Sequence, residues 1–480
     1  MKQLNKFYIN GEWVMPLDSK MMDIVNPATE QVIGQLTLGS AADVDRAAAA
    51  ATEAFKRWSL TSRKQRLEVL DRIIAIYVER MQEMADAITT EMGAPSGFAL
   101  DSQAPMGVAH LQTSRDALES YVFEESLGTS QIYKEPIGVC GFITPWNWPM
   151  NQIACKVAPA IACGCTIVLK PSELAPLSSQ LFTQIMHDAG VPAGVYNMLN
   201  GDGPNVGAAL SSHPGIEMIS LTGSTRAGIQ VTKAAADTVK RVALELGGKS
   251  ANILLPDCDF NNAVREGVIE CFRNTGQSCN APTRMLVPEN LHERAVKIAI
   301  DVANKTISGD PTEEPVDPEY WIGPLSNKGQ FSKVQNMIQM AIDEGSELVA
   351  GGIGRPDGIE KGYFVKPTVF ANVKNNSMIA QQEVFGPVLA ILPYSDEEEA
   401  VEIANDSPYG LASYVQSGDI DKARSIARRL RTGNVFLNGN NYDPIAPFGG
   451  YKQSGNGREW GDFAFDDFLE IKGVVGYSGK

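Results

Sequence analysis

Apolar residues recur along the chain at two spacings, which predict alternating helices and strands. From residue 139 onward, short apolar runs typical of buried strands alternate with longer stretches of helical period. Helical stretches lie between most of the predicted strands, which is the pattern of parallel βαβ units in an α/β fold. The predicted strands are Val139–Ile143, Thr166–Leu169, Val195–Leu199, Met218–Leu221, Ala251–Leu255, Arg284–Pro288, Phe364–Val369 and Val388–Tyr394.

Helices are predicted between these strands and before them. Ser40 is the predicted N-cap of a helix over Ala41–Trp58, Thr61 or Ser62 caps a second, and residues 97–120 give a third. Residues 1–35 are predicted to form short strands and turns. The later predicted helices are Gln152–Ala162, Leu177–Ala189, Gly203–Ser211, Arg226–Thr238, Asn261–Phe272, His292–Lys305, Lys328–Glu344 and Glu397–Ala404.

Two segments have strand character outside this alternation. Ser130–Val139 is predicted to be a strand of a projecting hairpin. Phe468–Tyr477 is a strand pattern with nothing after it to pair with. Because an unpaired strand offers free N–H and C=O groups, we expect this one to pair with another subunit.

Composition narrows the class of protein. The chain has 480 residues, 44% of them hydrophobic, which is enough for a large core in two or three domains. A net charge of −16 argues against binding nucleic acid or an anionic membrane. Seven cysteines and only 4 histidines indicate neither a disulfide framework nor a metal site. The N-terminus lacks an apolar signal core, so a reducing cytoplasm is expected.

Cys279 is the first candidate for chemistry, in the stretch Asn274–Arg284. A buried structural cysteine usually lies in an apolar run, whereas Cys279 has the small or polar neighbours Gly276, Gln277 and Ser278. Such surroundings suit an accessible nucleophile. The alternative is a polar loop with an incidental thiol, and this stretch alone does not decide between them.

Glu245 is the second candidate, at the end of a strand-like run before Gly247-Gly248. A carboxylate there is suited to act as a general base on water, and the alternative is a solvent-facing strand glutamate. The following Gly-Gly-Lys-Ser resembles a phosphate loop, but Ala243 stands where that motif requires glycine.

Asn147 is the third candidate, between two tryptophans and two prolines in Thr144–Pro149. A rigid aromatic turn can hold an amide N–H₂ in place for an oxyanion, and the alternative is a turn in which the tryptophans only pack. The G-x-G-x-x-G fingerprint is absent. However, Thr222–Thr225 follows a strand and precedes a helix, a weak signal for pyrophosphate binding at a helix start.

Taken together, these stretches resemble the aldehyde dehydrogenase superfamily, of the NAD(P)-dependent hydrolytic type. The resemblance covers essentially the whole chain. It also rests on the motifs Phe7–Trp13, Asn26–Glu30, Lys170–Glu173, Leu221–Gly228, Glu383–Val388 and Pro447–Gly455, in this order.

The resemblance implies a mechanism for five residues. Cys279 attacks the aldehyde carbon, and Asn147 with the backbone N–H of Cys279 holds the oxyanion of the thiohemiacetal. After hydride transfer to the nicotinamide leaves a thioester, Glu245 activates the water that hydrolyses it. Lys156 and Glu459 match residues that relay the proton outward; their alternative is an ordinary lysine and a surface glutamate.

The resemblance also implies the cofactor, NAD, with NADP possible. Lys170 and Glu173 match the pair that binds the adenosine ribose, and a carboxylate there repels a 2′-phosphate. The full predicted cofactor set is Ile143, Thr144, Trp146, Lys170, Ser172, Glu173, Gly203, Pro204, Gly223, Ser224, Leu246, Gly247, Glu383 and Phe385.

The predicted substrate pocket departs from many family members. Arg273 stands where an apolar or aromatic residue is usual, and Cys155 where some members have tryptophan. We expect Arg273 either to bond a nearby acidic residue or solvent, or to receive an acceptor group of the aldehyde. The predicted pocket comprises Trp148, Gln152, Arg273, Ser278, Asn280 and Phe448.

The expected organisation is a Rossmann-like dinucleotide-binding domain (residues 1–117 and 137–247) and a second α/β catalytic domain (residues 248–446). Residues 118–136 and 467–480 are expected to form a small β oligomerisation element of a homodimer or homotetramer. Two other functions stay open: a dehydrogenase that passes the acyl group to coenzyme A, against which Glu245 argues, and a catalytically silent protein of the same fold, against which Cys279 argues.

Overall fold

The computed structural model describes residues 2–18, 20–440 and 442–478 and has a mixed α/β architecture with two parallel-stranded sheets. The predicted α/β class is confirmed. The strands are β1 (Lys2–Leu4), β2 (Phe7–Ile9), β3 (Glu12–Val14), β4 (Lys20–Val25), β5 (Val32–Leu38), β6 (Glu124–Leu127), β7 (Ser130–Pro136), β8 (Val139–Ile143), β9 (Thr166–Lys170), β10 (Tyr196–Met198), β11 (Met218–Thr222), β12 (Arg241–Glu245), β13 (Ala251–Leu254), β14 (Arg284–Pro288), β15 (Ile307–Ser308), β16 (Trp321–Ile322), β17 (Glu347–Ala350), β18 (Thr368–Ala371), β19 (Val388–Tyr394), β20 (Ala412–Gln416), β21 (Asn434–Leu437), β22 (Gly455–Asn456) and β23 (Leu469–Val474).

The helices lie mainly between these strands, and their starts follow the expected capping chemistry. The backbone N–H of Ser40 donates to Asp43 Oδ2 at 3.1 Å, and that of Ser62 donates to Gln65 Oε1 at 2.9 Å. The helices are α1 (Ala41–Trp58), α2 (Arg63–Glu79), α3 (Met81–Met92), α4 (Ser96–Phe98), α5 (Ala104–Ser120), α6 (Pro149–Cys163), α7 (Pro176–Asp188), α8 (Ala208–Ser212), α9 (Thr225–Ala235), α10 (Phe260–Phe272), α11 (His292–Lys305), α12 (Lys328–Asp343), α13 (Met378–Gln381), α14 (Glu397–Asn405), α15 (Ile420–Ala427) and α16 (Phe465–Phe468).

The first large sheet has eight strands in the order β22-β12-β11-β8-β9-β10-β2-β3. Its five central strands are parallel, and the strand order reverses at β8, which lies between β9 and β11. This is the order of a Rossmann-like sheet, in which ligands bind outside the carboxyl ends of the strands at the reversal. One edge strand, β22, comes from residues 455–456, outside the ranges that the sequence assigned to the dinucleotide-binding domain.

Alternate side chains of these strands fill two separate cores. Cys140 and Phe142 of β8 pack against α2, α5, α6 and α7, whereas Val139 and Ile143 face α1, α8 and α9. Both faces are covered, so the strands are apolar throughout, as parallel strands require.

The second large sheet has seven strands in the order β17-β18-β19-β14-β13-β20-β21, and only β17 is antiparallel. The predicted strand over Phe364–Val369 is wrong, because the strand begins only at Thr368. Pro367 lies directly before it and has no N–H for a ladder. Within residues 248–440, five strands and two helices had not been predicted: β15, β16, β17, β20, β21, α13 and α15.

A small sheet of β6, β7 and β23 corrects the expectation for the last strand. Leu469–Val474 pairs antiparallel with β7 of the same chain, from Leu469 opposite Pro136 to Val474 opposite Gln131. The strand is therefore not unpaired, although no strand of the described residues pairs with its other edge. Among the described residues, no helix combines the length and apolar character that crossing a membrane requires.

Candidate active site

The loop that carries Cys279 follows α10 in an unusual backbone conformation. Asn274, Thr275 and Gly276 have φ values of 56°, 57° and 68° in succession. A side chain at position 276 would lie 2.1 Å from the carbonyl oxygen of Gly386, so only glycine fits there. The turn leaves the helix sharply and places Cys279, half-buried, before β14.

Buried amide side chains fix this loop against the turn that contains Asn147. Asn147 Nδ2 donates to the carbonyl oxygen of Gln277 at 2.9 Å. Asn274 Nδ2 donates to the carbonyl oxygens of Asn147 and Gln277 at 3.0 and 3.1 Å, and Gln103 Nε2 donates to Asn274 Oδ1 at 2.8 Å. The nucleophile candidate and the oxyanion-donor candidate are therefore held in one network.

Cys279, Glu245 and Asn147 line one cavity of about 190 Å³ between the two large sheets. Eleven of the predicted site residues line the cavity: Trp146, Asn147, Gln152, Gly223, Ser224, Glu245, Leu246, Gly247, Cys279, Glu383 and Phe385.

The electrostatic environment keeps Cys279 protonated. Burial raises the pKa of its thiol, and the carboxyl groups of Glu383 and Glu245 raise it further. A thiol in this setting needs a base when it reacts, because the thiolate is the nucleophilic form.

Glu245 is the last residue of β12 and is buried. Neither of its carboxyl oxygens has a hydrogen-bond partner in the described part of the chain. Burial raises the pKa of Glu245 well above its usual range, and the nearby Glu459 raises it further. A buried carboxyl group with a raised pKa and free lone pairs has the properties of a general base.

Lys156 and Glu459 form a buried ion pair, so Glu459 is not a surface glutamate. Lys156 Nζ contacts Glu459 Oε1 and donates to Ser220 Oγ at 3.0 Å. Burial is the largest influence and would lower the pKa of Lys156, but Glu459, Cys155 and Glu245 together raise it above its usual value. Neither residue lines the Cys279 cavity.

The predicted pyrophosphate region lies where the order of the first sheet reverses. Ile143 ends β8, and Thr144 follows it with a buried hydroxyl that lacks a partner among the described residues. Gly223 and Ser224 follow β11, and Ser224 Oγ caps α9 by accepting from Ala227 N at 3.3 Å. The helix start therefore presents backbone N–H groups at the edge where a phosphate would bind.

The predicted ribose pair lies at the end of β9. Lys170 Nζ donates to Glu173 Oε2 at 2.9 Å and to the carbonyl oxygen of Gly201 at 2.6 Å. Ser172 Oγ accepts from Leu174 N at 3.2 Å. Gly203 and Pro204 begin an exposed π-helical turn nearby, and a Cβ at Gly203 would meet no atom within 4 Å. This arrangement leaves open space beside a carboxylate, as a ribose and adenine require.

Glu383 and Phe385 reach the cavity from the second sheet. Glu383 Oε1 accepts from the backbone N–H of Gly248 at 3.0 Å, and a side chain at Gly247 would collide with its carboxylate. Phe385 stacks edge-on against Trp146 at a centroid distance of 5.6 Å. Leu246 N donates to the carbonyl oxygen of Ser454 at 2.9 Å, which fixes the segment after Glu245.

The predicted substrate residues are divided between the cavity and its surroundings. Trp148 Nε1 donates to Ser278 Oγ at 2.8 Å, and the carbonyl oxygen of Asn280 accepts from Tyr414 Oη at 3.0 Å. Phe448 is buried and stacks on Trp460 at 4.5 Å. Of this set, only Gln152 lines the Cys279 cavity itself.

Arg273 pairs with a neighbouring acidic residue, the first of the two expectations. Its Nε lies 2.9 Å from Glu270 Oε2, and its side chain is 44% exposed. It lines neighbouring cavities rather than the one that contains Cys279. A role in receiving the substrate stays a prediction.

Four cavity residues are absent from the predicted sets, and two of them, Gln330 and Lys333, lie outside every motif that the sequence singled out. Gln330 and Lys333 of α12 line the cavity, and Gln330 Nε2 donates to the carbonyl oxygen of Phe385 at 2.6 Å. They lie on an ordinary amphipathic helix, and no local motif distinguishes them from surface residues.

Comparison with known proteins identifies the family. Residues 13–474 match the model of the aldehyde dehydrogenase family. A 3-succinoylsemialdehyde-pyridine dehydrogenase from a Pseudomonas species is 54% identical over 481 residues and covers 100% of both chains. This protein belongs to the aldehyde dehydrogenase family.

Solved structures of other aldehyde dehydrogenases have the same fold. Aldehyde dehydrogenase C from Pseudomonas syringae, a mutant in complex with NAD+ and octanal, is 52% identical with a TM-score of 0.97, and the match covers 99% of this chain and 97% of that one. Aldehyde dehydrogenase from Bartonella henselae is 47% identical with a TM-score of 0.96, covering 99% and 100%.

Proposed function

We propose that this aldehyde dehydrogenase oxidises an aldehyde to the carboxylic acid with NAD, by way of a thioester on Cys279 that water hydrolyses. The observation that carries the proposal is the shared cavity of Cys279, Asn147 and Glu245. The NAD+ complexes of its relatives support the cofactor.

The residues present fit the dinucleotide. Glu173, Gly203 and Ser224 follow the carboxyl ends of the parallel strands β9, β10 and β11, and Glu383 lines the same cavity as Ser224. NAD supplies, when bound, the acceptor for the hydride that the substrate loses. Glu173 favours NAD over NADP because its carboxylate repels a 2′-phosphate.

The first chemical step is addition of the Cys279 sulfur to the aldehyde carbon. The thiol gives up its proton to solvent water as it attacks, and Glu245, whose oxygens have no partner among the described residues, serves the later hydrolysis step. One N–H of the Asn147 amide is bonded to Gln277, and the other is free to donate to the developing oxyanion, together with the backbone N–H of Cys279.

The last step is hydrolysis of the thioester. Glu245 takes a proton from water, the water oxygen attacks the thioester carbon, and the bond to Cys279 sulfur breaks. Its raised pKa makes Glu245 a stronger base than an exposed glutamate. Lys156 and Glu459 carry the proton away from it. This unpaired carboxyl supports hydrolysis over transfer of the acyl group to coenzyme A.

Two of the relatives are associated with aldehydes that differ in the group attached to the aldehyde carbon. One relative acts on 3-succinoylsemialdehyde-pyridine by its name, and another was crystallised with octanal. We propose an aldehyde with an extended organic tail, which the aromatic residues Trp148 and Phe448 would contact.

The assembly we propose is a homo-oligomer formed through the small sheet of β6, β7 and β23. Leu127 and Ile471 are 66% and 72% exposed on it, and Val475 and Tyr477 follow at 85% and 59%. Exposed apolar side chains beside a free strand edge suit contact with another copy. All seven cysteines are free thiols, which suits a reducing compartment.

Oxidation of aldehydes by the wild type and Cys279→Ala tests the proposal. With NAD and a panel including octanal and semialdehydes, the wild type should form NADH. The alanine variant should lose activity and still bind NAD in a titration of tryptophan fluorescence. A variant that keeps more than about a hundredth of the activity would remove the cysteine from the mechanism, because loss of a nucleophile costs far more than this.

A further inference from the structure

Cys155 is a second cysteine close to the catalytic machinery, and no step above uses it. It lies in α6, directly before Lys156, and is 2% exposed. Its Sγ lies 3.2 Å from Glu459 Oε2 and 3.6 Å from the carbonyl oxygen of Gln152, one turn back in the helix. The single S–H proton has two acceptors within reach, and the carboxylate is the closer and the charged one.

Glu459 therefore has one donor on each oxygen. Lys156 holds Oε1, and Cys155 is placed to hold Oε2. These donors are consecutive residues of one helix, so they approach the carboxylate from different sides. The backbone of Glu459 is fixed as well, because it exchanges two hydrogen bonds of 2.7 Å with Phe448. With the backbone fixed, the two donors therefore determine the orientation of the Glu459 carboxylate.

The orientation of this carboxylate matters because Glu459 is the charged group that raises the pKa of Glu245 most. The charged groups that act on Glu245 are Glu459, Lys156, Arg458 and Asp467, and Glu459 acts most strongly. His110 also faces Glu459, but burial keeps it neutral by lowering its pKa to about 4. At Gly449, next to Phe448, a side chain would lie 2.7 Å from Glu245 Oε1, so the same segment borders both carboxyl groups.

We propose that Cys155 is a positioning residue for thioester hydrolysis: its thiol donates to Glu459 Oε2 and fixes that carboxylate beside the segment that borders Glu245. The inference rests on the proposed function and adds a residue to it. Cys155 itself neither touches the substrate nor changes its covalent state.

The test compares Cys155→Ala, which removes the donor, with Cys155→Ser, which keeps one. Because one weak hydrogen bond to a charged group is lost, Cys155→Ala should lower kcat roughly five- to tenfold. Its kcat/KM and the rate and size of its initial burst of NADH should not change, since both are determined before hydrolysis. The acid limb of its kcat–pH profile should move to lower pH, because Glu245 is less repelled. Cys155→Ser should keep kcat within about twofold of the wild-type value, because the serine hydroxyl also donates a hydrogen bond.

Cys163→Ala is the matched control, because Cys163 is a fully buried thiol of the same helix that does not contact Glu459. It should lower the thermal midpoint about as much as Cys155→Ala and leave the pH profile unchanged. In a Glu459→Gln background, Cys155→Ala should cause no further loss of kcat, because the acceptor charge is already gone.

Two results would overturn the inference. The first is a Cys155→Ala variant whose kcat and acid limb of the pH profile equal those of the wild type. The second is an equal loss of kcat in the alanine and serine variants. If Cys155→Ala does not fold, Cys155→Val replaces it, since valine fills the space without a donor. An inactive wild type would instead contradict the proposed function, so the two failures are distinguishable.

Discussion

Glu245 lies buried at the end of β12 with neither carboxyl oxygen hydrogen-bonded among the described residues. Such a group is costly to the fold, because a buried polar atom without a partner loses its hydration. The position of this carboxyl group in the same cavity as Cys279 is the strongest indication, among the individual residues, that a thioester is hydrolysed there.

Glu245→Gln should therefore stall the reaction at the thioester. A rapid burst of about one NADH per site followed by slow turnover is expected in stopped flow. In the wild type, the raised pKa of Glu245 means that kcat rises with pH above the usual glutamate range, as the carboxylate forms. The glutamine variant should lose this limb, and unchanged steady-state turnover would exclude Glu245 as the base.

Asn147→Ala should lower kcat by roughly 10²–10³, the usual effect of removing an oxyanion donor. The loop should survive, because the Gln277 carbonyl that Asn147 contacts also accepts from Asn274 at 3.1 Å. Melting curves recorded beside the kinetics check that the fold is retained. If the rate falls less than about threefold, Asn147 only packs.

At the scale of elements, local patterns predicted the helices and the apolar strands well. The predicted bounds of β8, β14, β19 and α11 agree with the structure, because each is a buried run or a strongly amphipathic stretch. By contrast, all four residues of β21 are half-buried, so they show no alternation of buried and exposed positions from which a strand could be predicted.

The site was predicted in part for the same reason. Motifs around Cys279, Glu245 and Asn147 were visible in the sequence. The support from Gln103 and Asn274 was not, because their hydrogen bond joins residues 171 positions apart. Likewise, the pairing of β23 with β7 depends on tertiary structure, and the sequence shows only that each has strand character.

One element contact gives a pH-dependent contribution to stability. Glu91 of α3 caps α7 by accepting from the backbone N–H groups of Leu177 and Ser178, and burial raises its pKa to about 7. A carboxyl whose pKa is higher in the folded state binds its proton more tightly there. Its contribution to stability is complete below pH 4.5 and is lost as the pH rises through about 7.

Glu91→Gln should remove this pH dependence while keeping an acceptor at the helix start. Thermal midpoints at pH 5.5 and 7.5, compared between variant and wild type, isolate the contribution, which is at most a few kcal/mol at about 1.4 kcal/mol per pKa unit. The wild type should lose more stability than the variant over this interval. Parallel curves would show that Glu91 does not titrate there.

At the scale of the whole molecule, the sheet of β6, β7 and β23 carries the proposed contact with another copy. Ile471→Lys leaves the backbone pairing with β7 intact, since its side chain is 72% exposed. A charge there should lower the oligomer mass measured by light scattering, because burying it is costly. Ile420→Lys, on exposed α15, is the control and should not. An unchanged mass in both would place the contact elsewhere.

The ion pair of Lys156 and Glu459 joins residues 303 positions apart, and this separation has a consequence for synthesis. The strand β22, which completes the edge of the first sheet beside Glu245, also comes from the last part of the chain. A nascent chain can therefore form the central strands and expose Cys279 before the surroundings of the base exist. Because domains fold as they emerge from the ribosome, we expect the active site to mature only after residues 455–459 have emerged, and a ribosome-bound chain arrested before residue 447 to show no catalytic turnover.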